Sequence, residues 1–164
     1  MASNSLYDST EKILKYINKY TDIRIQYLKE SYKNYDYSFD DKEYESMTKR
    51  IREYIISHVW KDLCIYTIWE GDELASIGFL NIQNKVPHFF IQNGRYGLVN
   101  GLFTYEKYRC KGYASKILEM MQKDAKSLGL NCIELNSVEG KSGFYEKFNF
   151  YNSDKLEHME WYRE

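Results

Sequence analysis

From about Ser9 to Tyr32 the apolar residues Ile13, Leu14, Ile17, Tyr20, Ile23, Tyr27 and Leu28 recur at three- and four-residue steps. That period predicts a helix, with Ser9 or Thr10 as its cap. After Phe39-Asp40-Asp41 a second helical pattern runs through Tyr44, Met47, Ile51, Tyr54 and Ile55, and the basic residues Lys49, Arg50, Arg52 and Lys61 read as its solvated face. The period then shortens. Leu63 to Trp69 and Leu74 to Ile82 are β-rich on either side of the turn Glu70-Gly71-Asp72-Glu73, which makes a hairpin. The single proline, Pro87, falls in the connection Gln83 to His88, and a third extended segment follows from Tyr96 to Thr104. Asn100-Gly101 interrupts it, as at a bulge or a close approach of backbone to a ligand.

An amphipathic helix is expected from Lys111 to Leu128 through Ala114, Ile117, Leu118, Met121 and Ala125, with Gly129 as its C-cap. Cys132 to Leu135 reads as a short buried strand, Ser142 to Phe148 as a short helix, and the tail through Tyr151, Leu156, Met159 and Trp161 as one or two last strands. The order of elements is that of an α/β (α+β) sandwich with one mixed sheet.

At 164 residues, 43% apolar and 29% charged, the chain is expected to form a single domain over residues 1–164 and not a disordered or low-complexity polymer. No apolar run approaches the ~18 residues of a membrane span. Residues Met1 to Asp8 lack the basic start and apolar stretch of an export signal, so the expectation is a cytoplasmic protein with no membrane partner. Twenty-three basic residues against twenty-four acidic ones leave a net charge of −1. That balance gives no electrostatic reason to bind nucleic acid. Cys64, Cys110 and Cys132 lack any CxxC spacing and are expected as free thiols, Cys64 and Cys132 in the core and Cys110 facing solvent. His58, His88 and His158 have no ligand spacing, so no metal is expected. The 17 tyrosines accompany abundant Lys, Asn and Ile, a bias of AT-rich coding to which no function is attached.

The candidate chemistry lies where the third strand meets the following helix, at Thr104-Tyr105-Glu106-Lys107-Tyr108-Arg109-Cys110-Lys111-Gly112-Tyr113-Ala114. A basic loop runs into a helix whose start holds Gly112 and Ala114, too small to block approach to the backbone. The first N–H groups of a helix lack internal partners and face outward at the positive end of its dipole, where phosphate binds. Neither the GxxxxGK(S/T) of a nucleotide P-loop nor the GxGxxG of a dinucleotide fold is present, so the anion is neither ATP nor NAD.

Arg109-x-x-Gly112-x-Ala114 resembles the acetyl-CoA pyrophosphate loop of the GNAT superfamily of N-acetyltransferases, Gln/Arg-x-x-Gly-x-Gly/Ala. The strand Leu98 to Thr104 before it, the long helix after it, Asn131 to Leu135, and Gly143-Phe144-Tyr145-Glu146-Lys147-Phe148-Asn149-Phe150, which is similar to the family's LYxKxGF segment, follow in the family's order over residues 97–150. Over residues 1–95 the resemblance rests on element order. Two positions depart from the pattern. Asn149 replaces the LYxKxGF glycine and tolerates the left-handed backbone. Val138 replaces an asparagine that many members carry, which removes one side-chain hydrogen bond to the cofactor.

The resemblance implies a mostly antiparallel mixed sheet, splayed at the cofactor site, with helices on both faces. It implies acetyl-CoA as co-substrate, with Leu102, Phe103 and Thr104 offering backbone to the pantetheine arm. Arg109, Cys110, Lys111, Gly112, Tyr113 and Ala114 would hold the pyrophosphate, with Ser115 as a hydroxyl donor. Tyr145 matches the general acid that protonates the departing thiolate. Glu70, Glu73 and Glu134 are base candidates by strand position, and none stands out. The acceptor is a primary amine of a small molecule or peptide, approaching between Tyr27 and Asp41. There Tyr32, Tyr35, Tyr37 and Phe39 with Asp36, Asp40 and Asp41 would suit a cation such as a polyamine or aminoglycoside. A homodimer is compatible with these readings. The alternative function is a non-catalytic acyl-CoA-binding sensor.

Overall fold

The computed structural model describes residues 5–33, 38–138 and 140–152. Three helices come first: α1 (Thr10–Lys15), α2 (Ile17–Tyr32) and α3 (Asp41–His58). The continuous helix expected from Ser9 is broken at Tyr16, whose backbone leaves the helical region at φ −113°. Its ring lies 5.2 Å from that of Trp69. Ser9 caps α1, accepting from Lys12 N–H, while Asp40 caps α3 in a capping box with Glu43.

Strands β1 (Leu63–Glu70), β2 (Glu73–Asn84) and β3 (Arg95–Thr104) form an antiparallel meander, and β4 (Ile133–Leu135) adds to β3 in parallel. Between β3 and β4 come a 3-10 turn at Glu106–Tyr108 and helix α4 (Tyr113–Ala125). Helix α5 (Ser142–Glu146) follows β4. Helix α4 is shorter than the expected Lys111 to Leu128, with Gly112 and Lys126 as its caps, and Gly129 at φ +68° closes the turn beyond it, its N–H donating to the Lys126 carbonyl and that of Leu130 to the Ala125 carbonyl.

Alternating side chains of β1 divide the core in two. Leu63 and Ile65 face α1, α2 and α3 with Ile13, Ile17, Tyr20, Ile23 and Ile55, whereas Cys64 and Tyr66 face α4 with Ile117, Leu118 and Met121. Helices therefore cover both faces of the sheet. Gly78 permits the close seating of α4: a Cβ there would come within 2.5 Å of Ile117 and 2.6 Å of Met121.

Three expectations change. Strand β4 is partly exposed rather than buried, and Cys132 beside it is only half-buried, because β4 is the sheet's edge among the described residues. Cys64 is buried and Cys110 exposed. Helix α5 stops at Glu146, and Asn149 takes the left-handed conformation at φ +61°. Tyr151 is exposed outside any element, and the strands expected through Leu156, Met159 and Trp161 lie outside the described residues. Among the described residues no helix is long and apolar enough to cross a membrane.

Candidate active site

The site begins with a fault in the sheet. Gly78 pairs with Leu102 and Leu80 with Val99, so Asn100 and Gly101 together face Phe79. This is the bulge the sequence suggested. It shifts the alternation of β3 so that Val99 and Leu102 both pack toward α4, while Phe103 turns to the α2 face. Strand β4 pairs with β3 only from Gly97 to Val99. From Asn100 to Thr104 the edge of β3 away from β2 has no strand partner among the described residues.

Two polar side chains pin the bulge. Asn100 Nδ2 donates to Oδ1 of the buried Asn81 at 2.9 Å, and Asn81 Nδ2 in turn donates to the Tyr54 hydroxyl at 2.6 Å. Arg24 Nη1 donates to the Asn100 carbonyl at 2.6 Å. Gly101 sits at φ +143°, and a Cβ on it would lie 2.4 Å from Arg24 Nη1. Only glycine meets both conditions.

Helix α2 runs beside β3 from the bulge to the loop. Arg24 meets Asn100, Tyr27 stands edge-on to Phe103 with ring centroids 6.1 Å apart, and Glu30 pairs with Arg109. Burial alone would raise the Glu30 carboxyl, but the Arg109 guanidinium and the Gln26 amide hold it below its ordinary value. Arg109 also donates from Nε to the Thr104 carbonyl at 3.0 Å. Its guanidinium is thus directed to α2 and to its own strand.

The loop itself is a run of unused donors. Cys110 and Gly112 both adopt positive φ, at 62° and 77°. Among the described residues no hydrogen bond takes up the N–H groups from Cys110 through Ser115. Successive amides in such turns, continued by a helix start, form a concave anion site. A cleft of about 290 Å³ opens there, lined by Thr104, Tyr108, Arg109, Cys110, Gly112, Tyr113, Ala114, Ser115 and Phe144. Nothing lies within 4 Å of where a Gly112 Cβ would sit. Lys111 pairs with Glu70 at 3.3 Å, and the Tyr113 hydroxyl donates to the same carboxylate, which keeps both side chains off the amides.

Tyr145 is half-buried beside the cleft, its ring 5.1 Å from that of Phe144 and 6.1 Å from that of Phe150. Its hydroxyl makes no hydrogen bond among the described residues. Burial, reinforced by nearby Tyr27, pushes the phenol above its ordinary value. The base candidates are all engaged: Glu70 as above, Glu73 with Lys107 and Tyr108, and Glu134 with Lys85 at 2.7 Å. Of the acceptor-side residues, Tyr32 and Phe39 stack edge to face at 5.4 Å, and Asp40 is the cap of α3. Tyr35, Asp36 and Tyr37 lie outside the described residues.

The structure therefore brings together Leu102 to Thr104, Arg109 to Ser115 and Tyr145. It adds Arg24, for which no role was expected, and sets Tyr27 and Glu30, from the segment expected on the acceptor side, beside β3 and its loop. A sheet opened at a bulge, leading to an amide cradle at a helix start, defines a class. The chain belongs to the acetyltransferase (GNAT) family, whose model matches residues 25–150. It is 29% identical over 117 residues to the glucosamine 6-phosphate N-acetyltransferase of Arabidopsis thaliana, covering 70% of this chain and 73% of that protein. Its fold is similar to that of a predicted acetyltransferase of Clostridium acetobutylicum crystallised with acetyl-CoA (TM-score 0.68, 15% identity, 87% and 91% of the two chains). It is also similar to a putative acetyltransferase of Pyrococcus furiosus (TM-score 0.70, 17% identity, 92% and 96%).

Proposed function

We propose that this N-acetyltransferase carries acetyl from acetyl-CoA to a primary amine of a small molecule or peptide, by direct attack with both substrates bound to one domain. The observation that carries the reading is the run of N–H groups from Cys110 to Ser115, unsatisfied among the described residues, open to a cleft and continuous with the edge of β3 that no described strand pairs.

The residues fit the co-substrate. A pyrophosphate needs converging donors without side chains in the way, and the amides from Cys110 to Ala114 with the Ser115 hydroxyl meet that need, the Arg109 N–H being taken by the Glu106 carbonyl. A pantetheine arm needs strand-like partners, which the backbone of Leu102, Phe103 and Thr104 offers. The Thr104 carbonyl is occupied by Arg109 and the Phe103 carbonyl by the Ser76 hydroxyl, which leaves for that role the groups of this stretch that neither these donors nor β2 engages. Bound there, acetyl-CoA supplies an activated acyl group. Backbone amides of the open strand polarise the acyl carbonyl. The Tyr145 hydroxyl donates its proton to the departing sulfur, and its raised pKa keeps that proton in place through neutral pH. Because Glu70, Glu73 and Glu134 are each held by a cation or a phenol, the amine is deprotonated through solvent and not by these carboxylates.

The Arabidopsis relative places an amino-sugar phosphate among the acceptors to try. The test is thiol release from acetyl-CoA against amino-sugar phosphates, amino acids, polyamines, aminoglycosides and peptide N-termini. Turnover of any of them supports the enzyme reading. Tight acetyl-CoA binding without turnover would leave the sensor.

A further inference from the structure

Arg24 lies against the bulge with its charge unmatched among the described residues. The other cations of the site are paired, Arg109 with Glu30 and Lys111 with Glu70, whereas no carboxylate pairs with Arg24 among the described residues. Its guanidinium rests over the rings of Tyr27 at 4.7 Å and Phe79 at 5.6 Å, and one of its five N–H donors is taken by the Asn100 carbonyl. Burial lowers its pKa from the ordinary arginine value, and the phenols of Tyr27 and Tyr32 oppose that shift. An arginine remains charged even so.

A half-buried cation without a counter-ion is costly to the protein alone, and the cost falls when an anion arrives. Two rings and a carbonyl fix the guanidinium beforehand, so little ordering entropy is lost on binding. Its position matters as much. The amide cradle is at one end of the open edge of β3, and the bulge is at the other. On the reading proposed above, which this inference rests on, the phosphates occupy the first end and the acyl group points to the second. An amine attacking that acyl group approaches beside Arg24, Tyr27 and Tyr145, whose phenol is affected electrostatically by that of Tyr27.

We propose that the acceptor is an amine that also bears an anionic group, a carboxylate or a phosphate, and that the Arg24 guanidinium binds this anion. A planar fork of donors suits either oxyanion. The same charge disfavours a polyamine or an aminoglycoside. Of the acidic residues in the acceptor segment, Asp40 is committed to the α3 cap and Glu30 to Arg109.

The test compares matched pairs, phosphoethanolamine with ethanolamine and β-alanine with β-alaninamide, together with whichever anionic amine turns over fastest and its uncharged counterpart. The first pair reports phosphate and the second carboxylate. Wild type should favour the anionic member in kcat/KM by roughly 10- to 100-fold, the scale of a hydrogen bond to a charged group. Arg24→Met should bring that ratio close to one, and Arg24→Lys should restore part of it. If Arg24 only held the bulge, Arg24→Met would slow both members of a pair alike and leave the ratio intact, which would overturn the proposal. A wild-type ratio near one, or turnover confined to uncharged and cationic amines or absent altogether, would overturn it as well, whether or not Arg24→Met folds. Thermal protection of wild type by acetyl-CoA separates the two failures. Protection without an anion preference removes the role of Arg24 and leaves the cofactor reading standing, while absence of protection removes both.

Discussion

At the scale of single residues, one side chain of the site has a proton to move. Tyr145→Phe keeps the ring against Phe144 and Phe150 and removes the hydroxyl, so acetyl-CoA should still stabilise the variant against heat. Positioned acid catalysis contributes about 10²- to 10⁴-fold, and kcat on the true acceptor should fall within that range. Wild-type turnover in the variant would return Tyr145 to a packing role. The pH profile offers a second reading of the same group. Because burial and Tyr27 raise the phenol above its ordinary value, the acid stays protonated as pH rises, and kcat should show no alkaline limb from this group below about pH 10. A limb at pH 8 or 9 that vanished in Tyr145→Phe would contradict the raised pKa.

At the scale of elements, the site depends on how closely α4 sits on the sheet, since α4 carries the amide cradle at its start. Gly78→Ala drives a methyl into Ile117 and Met121, and overpacking of this kind costs ~1–3 kcal/mol, to be read as a lowered urea midpoint. An unchanged midpoint would mean that α4 shifts freely. Elements with a strong period were legible in the sequence, α4 and the β1–β2 hairpin among them. So was the bulge, because Asn100-Gly101 breaks a strand pattern. The break at Tyr16 was not, because Ile13 and Ile17 keep the helical spacing across it, and the ring that Tyr16 meets, that of Trp69, is more than fifty positions away. The pairing of Glu30 with Arg109 and the approach of Arg24 to Asn100 join residues 79 and 76 positions apart. On α2 alone, both side chains look like parts of a solvated face. Asn149 was read correctly because its left-handed turn is a local property of the backbone.

At the scale of the molecule, two apolar clusters on opposite faces of the sheet share its strands, and each buries ionisable groups in their neutral form. Burial and the neighbouring Asp124 push the Cys64 thiol up to about 12. Burial also raises the phenols of Tyr20, beside Asp8, and of Tyr66, beside Cys64 and Asp124, far above their ordinary value. The folded pKa values exceed the unfolded ones, so the unfolded chain releases these protons first. Stability should therefore be full below about pH 9 and fall as pH rises, by about 1.4 kcal/mol per pH unit for each group that ionises only on unfolding. Denaturant midpoints between pH 8 and 11 check this, and a flat profile would contradict it.

The central claim, that the N–H groups from Cys110 to Ser115 hold the phosphates of acetyl-CoA, is tested most directly by the melting shift that acetyl-CoA produces in wild type and in Gly112→Glu, each measured against its own unliganded melting point. A ligand at a hundredfold excess over Kd stabilises the native state by about 2.7 kcal/mol, so wild type should melt several degrees higher with acetyl-CoA and far less so with ATP or NAD. In Gly112→Glu a carboxylate enters open space beside the cradle and repels the pyrophosphate, and the shift should disappear. An equal shift in both proteins would place the phosphates elsewhere and contradict the account.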